Sequence, residues 1–182
     1  MNAIHLHLIL NHFPTIGMIF AIILMTVAFI AKKEFLKKTA LFTIIASSLF
    51  IVPVYLTGER AEDLLEEREN SEESHLFIEK HEEAVELAIW LVGLTALLAL
   101  TTLGVALSKQ KEVSQIFLMI TYLFTFATAG VLARASYLGG MISHTELRVS
   151  EFNDDPEAGV GVSEDSEELK AIDDKIEKNL ED

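Results

Sequence analysis

Four stretches of this 182-residue chain, 13–31, 40–56, 84–107 and 116–138, are almost free of charge and long enough to cross a bilayer. A hydrocarbon core about 30 Å thick takes about 20 helical residues, and the four meet that length. The fold class that follows is all-α. It is a polytopic membrane four-helix bundle with an outer-side amphipathic segment and an acidic C-terminal tail. The transmembrane domain spans 1–146, with an outer connection at 58–83, and the tail spans 147–182. The first span could begin earlier, since Ile4, Leu6, Leu8, Ile9 and Leu10 are also apolar. Pro14 fits either the first turn of a helix starting near His12 or a kink within a longer one.

Charge is segregated around these spans. Hydrophobic residues make up 51% of the chain, yet its net charge is −14. That pairing does not describe an ordinary soluble domain. The acids concentrate in two places, with eleven between Glu59 and Glu83 and thirteen in residues 151–182 against three lysines. Most of them read as solvated faces. No basic patch is present to neutralise phosphates, so nucleic acid is not expected as a partner. There is no cysteine, which excludes disulfides, thiolate metal sites, cysteine nucleophiles and covalently attached c-type haem. Residues 1–12 carry no Lys or Arg, so they lack the positive start of a cleavable signal peptide.

The loop at 32–38 holds Lys32, Lys33, Lys37 and Lys38, and the loop between spans three and four holds Lys109 and Lys111. The bias of cations toward the cytoplasm puts both loops inside. The chain is then expected in a bacterial inner membrane, multi-pass, with both termini and the 58–83 connection in the periplasm. Within that connection, Ala61, Leu64 and Leu65 suggest a short amphipathic helix on the membrane surface or on the bundle. A second helix, capped by Ser71 or Ser74, is expected to run through His81 into span three. In the tail, 151–163 reads as a linker. Leu169, Ile172, Ile176 and Leu180 give 164–181 one apolar stripe, which either docks or stays disordered. No internal sequence repeat is convincing, although spans one and two, and spans three and four, both form hairpins turning at lysine-bearing loops.

All six histidines fall on the outer side: His5, His7 and His12 around the start of span one, His75 and His81 before span three, and His144 after span four. Imidazoles at a membrane boundary serve as proton carriers, as metal or haem ligands, or as hydrogen-bonded structural groups. The three N-terminal ones do not share one helical face. A single metal held by all three from a regular helix is therefore not expected, while sites completed from other helices remain open. His7, His12, His81 and His144 are the candidate haem ligands, and Arg134 and Arg60 are candidate partners for haem propionates. Arg134 stands out because a guanidinium in an apolar helix must find an anion or reach the interface. The competing chemistry is a zinc or copper site built from the same four histidines with Glu82, in which Glu86 could also take part. The third reading leaves the histidines as hydrogen-bonded structural groups in a scaffold subunit.

The segment His7-Leu-Ile-Leu-Asn-His12-Phe-Pro14 resembles the opening of an uncharacterised bacterial family of small four-helix membrane domains. Their first span begins with His-x4-His-Phe-Pro. Gly58, His81, and Gly139-Gly140 followed by His144 are similar to further features of that family, over residues 5–146. Many members carry a Pro beside the first His, where this chain has Leu6 and Leu8. The resemblance implies a four-helix fold with a polar cluster at the outer face and, through relatives found beside redox proteins, electron transfer.

Together these readings give a membrane protein that binds haem b near its outer face and links a quinone to a periplasmic carrier. No Ser-His-Asp or paired-carboxylate arrangement points to a hydrolase, so an electron-transfer or binding subunit is expected rather than an enzyme. Its expected partners are the lipid bilayer and a redox or membrane-complex protein, with self-association into a homo-oligomer as a further option.

Overall fold

The structure, a computed structural model, describes residues 3–66 and 72–143. His144 and the acidic tail lie outside the described residues, as does Ser71. Six helices form four rods: α1 (Ala3–Leu10) with α2 (His12–Ala31), α3 (Glu34–Leu49) with α4 (Ile51–Glu66), α5 (Glu72–Ser108), and α6 (Gln115–Ser143). All four rods are long and apolar enough to cross a membrane. No strand occurs among the described residues.

The first two rods are each interrupted by one residue, for the same reason. Proline lacks an N–H, and its ring presses on the carbonyl four residues back. Pro14 thereby frees the Leu10 carbonyl, and the helix breaks at Asn11; Pro53 frees that of Leu49, and the helix breaks at Phe50. Pro14 thus occupies a first turn and also kinks a longer rod. The Phe13 and Phe50 rings stack beside the breaks, with centroids 5.1 Å apart. The third and fourth rods hold no proline and run unbroken.

In the connection, 61–65 are helical and Ala61 is buried, but they continue α4 rather than forming a helix of their own, because Gly58 alone does not stop a helix that has no other terminator before Glu66. The helix leading into the third span starts at Glu72 and passes through His81 without a break, as its sequence suggests.

Many of the bundle's inward positions are small, set among a few large ones such as Met18, Met25, Leu41, Ile44 and Leu118, while the outside is covered with large apolar side chains. Ala21, Ala28, Ala40, Ala88, Ala99, Thr95, Thr121, Thr125 and Thr128 are buried, whereas Phe20, Ile23, Phe42, Trp90, Leu97 and Leu123 are exposed. Water would penalise that surface. Lipid does not, and small residues let helix backbones approach. Most core hydroxyls donate to a carbonyl one turn back, Thr128 also pairs with Thr95 at 2.8 Å and so ties α5 to α6, and Thr102 Oγ1 has no partner.

The buried positions of α2, namely Pro14, Met18, Ala21, Met25 and Ala28, alternate in steps of four and three, which is the register of left-handed bundle packing. A shift of 74 residues carries them onto Ala88, Val92, Thr95, Ala99 and Thr102, all buried. A shift of 81 carries Lys37, Ala40, Ile44 and Ser47 onto Leu118, Thr121, Thr125 and Thr128, again all buried. The two hairpins therefore repeat one burial register in the same topological sense, a parallel internal repeat. At the lysine end they are fastened by Glu34. One of its oxygens pairs with the buried Lys37, and the other accepts the Val113 N–H at 2.9 Å.

Candidate functional site

The repeat places one histidine in each hairpin at the end opposite the lysine loops. In the first, the half-buried His7 donates its Nδ1–H to the Val54 carbonyl at 3.1 Å. In the second, the half-buried His81 donates its Nδ1–H to the Ala135 carbonyl at 2.9 Å. A carbonyl oxygen can only accept, so each ring carries its proton on Nδ1. When neutral, each ring then keeps the Nε2 lone pair for something else.

Each ring also rests on a glycine one turn beyond its acceptor. A Cβ on Gly58 would come within 3.2 Å of His7 Cε1, and one on Gly139 within 3.1 Å of His81 Cε1. The motif of histidine, carbonyl acceptor and glycine four residues later therefore occurs twice. Its parts follow the same two shifts as the core: His7 to His81, Val54 to Ala135, Gly58 to Gly139. Both imidazoles lie at the end opposite the lysine loops, and Glu82 directly follows His81 in α5.

The rest of each seat differs. Thr57 Oγ1 lies 3.4 Å from His7 Nδ1 and donates back to the Pro53 and Val54 carbonyls at 2.8 and 3.0 Å. Asn11, one turn along from His7 and therefore on the same face, has a buried Oδ1 without a hydrogen-bond partner. Sequence reasoning assigned this amide no role.

The remaining candidates are dispersed. His12 is exposed, and its Nδ1–H donates to the Leu8 carbonyl of its own rod at 2.9 Å. His5 and His75 are exposed. Arg60, Glu82 and Arg134 are exposed as well, Arg134 on the same outward side of α6 as Gly130 and Tyr137. Among the described residues, no three His, Asp or Glu side chains gather closely enough to hold a metal ion. His144 lies outside the described residues.

The structure thus gives His7 and His81 matching seats and leaves His12 out of them. The arrangement offers two oriented imidazole nitrogens, one per hairpin. No family model, curated protein or solved structure matches the chain.

Proposed function

We propose that this is a membrane haem b protein that transfers electrons, with His7 and His81 as the two axial ligands. The observation that carries the reading is the doubled seat: in both hairpins Nδ1–H is tied to a main-chain carbonyl. Ligating histidines are oriented in this way, with the second ring nitrogen hydrogen-bonded to fix the tautomer and raise the basicity of the first. A porphyrin supplies four nitrogens and asks the protein for two axial groups, whereas a bare zinc or copper ion asks for three or four. Two imidazoles, with no third ligand group beside them among the described residues, suit the former.

In this reading the glycines let the rings lie flat against α4 and α6, and the apolar bundle excludes water from one side of the bound group. Arg60 and Arg134 are exposed cations at this end that would meet propionates. Electron transfer needs no general acid or base, which fits a site with no paired carboxylates. The lysine loops orient the histidine end toward the periplasm of a bacterial inner membrane, where a soluble carrier or a partner subunit would take the electron. The likeness to the four-helix family opening with His-x4-His-Phe-Pro supports the same direction.

The test is a reduced-minus-oxidised spectrum of the detergent-purified protein with iron, zinc and copper analysis. Stoichiometric iron and a sharp reduced band are expected, lost in H7A and in H81A and kept in H12A. A colourless protein after expression with ample haem would sink the reading. Bound zinc or copper would then indicate an ion site, and a ligand-free protein merely destabilised by H7A and H81A would indicate a scaffold.

A further inference from the structure

The two histidine seats differ in how they are attached to the bundle. His7 and its whole seat, Val54, Thr57 and Gly58, lie in α1 and α4, beyond the breaks at Asn11 and Phe50. His81 and its seat, Ala135 and Gly139, lie in α5 and α6, which have no break. Furthermore, α1 packs chiefly on α4, and much less on α2. Both rods of the first hairpin are therefore interrupted, and the pieces beyond the interruptions hold to each other.

We infer that α1 and α4 form a hinged cap that swings about the Asn11 and Phe50 breaks, carrying His7 away from and back to His81 to admit a bound group between them. The physical basis is the missing hydrogen bonds. At each break a proline removes one rung of the helix ladder, so bending there gives up no further bond at that position. A rigid piece joined through a few residues at helix termini is the ordinary construction of a hinge. The motion leaves both Nδ1–carbonyl bonds intact, since each ring travels with its own acceptor. The Asn11 side chain sits in the hinge itself with its buried oxygen unpartnered, while its backbone N–H keeps one bond across the joint, to the His7 carbonyl at 2.9 Å. What the cap admits rests on the haem reading; the motion itself does not.

The chain has no cysteine, so paired spin labels can be placed without background. Exposed Ile9 in α1 and Ala133 in α6 span the hinge, Ile9 with Leu56 stays within the cap, and Leu87 with Ala133 stays within the unbroken half. For the full chain in lipid nanodiscs, the Ile9–Ala133 distance distribution is expected to be broader than both controls. It should narrow to their width in the P14A/P53A variant, and haemin uptake by that variant should be slower with unchanged final stoichiometry. A wild-type Ile9–Ala133 distribution as narrow as the controls overturns the hinge, whether or not the variant folds. A broad distribution that persists in a folded P14A/P53A protein overturns it too. If the distances behave as expected and haemin binds to neither protein, the haem reading fails and the hinge stands.

Discussion

His7 and His12 are the same residue type five positions apart, and only the phase of the helix separates their fates. Continued toward the N-terminus, the buried series Met18 and Pro14 reaches Asn11 and His7 in the same steps of four and three, and it misses His12. The sequence therefore contained the choice. Reading the histidines by depth in the membrane rather than by angle around the rod left it unmade. The acceptors were less accessible, because no side chain identifies Val54 or Ala135 as a carbonyl that receives an imidazole. Their glycines make a sharp comparison. Gly139 sits against the His81 ring, while a Cβ on the adjacent Gly140 meets nothing within 4 Å. G139A is expected to displace the ring and cost about 1 kcal/mol through the weakened hydrogen bond. G140A should be neutral, or stabilising by up to about 1 kcal/mol through helix propensity. Chemical unfolding in detergent measures both. Equal effects from the two substitutions would mean that the glycine seat has no role in holding the ring.

At the scale of elements, the spans were legible from charge-free length, and their ends were not. Membrane hydropathy stops where charge begins, but helices do not: α4 carries on past Gly58 to Glu66, and α5 begins twelve residues before Ala84. The alternatives left open by Pro14 were resolved by tertiary context, since α1 is held as a helix by packing on α4 across the break. At the opposite end, Glu34 joins the two lysine-side turns while pairing with Lys37, which is only 3% exposed. Glu34 is itself 28% exposed, so the pair is only partly buried, and E34A, which leaves the buried Lys37 charge unmatched, is expected to cost about 1 kcal/mol. The E34A/K37M double variant should recover most of it, which the same unfolding assay would show. If E34A is no less stable than wild type, the two turns do not depend on this junction.

For the whole molecule, the bundle could be read from composition because lipid imposes few solutions. The repeat could not, because the hairpins share burial and not residues: Met18 matches Val92, Met25 matches Ala99, and Ser47 matches Thr128. Packing at such positions depends on complementary size across the core. Ala99→Leu should therefore overpack the bundle at a cost of about 1–3 kcal/mol, whereas Leu97→Ala on the outer surface should stay within about 0.5 kcal/mol of wild type. Thermal denaturation of the two variants side by side tests whether the small residues really form the interior. A chain emerging from the ribosome completes the seat of His7 once Gly58 has been made, and that of His81 only with Gly139, in the last helix of the bundle. A half-inserted protein thus displays one oriented imidazole and nothing opposite it. If a group is held between the two seats, as proposed, its uptake would certify that α6 has been threaded home.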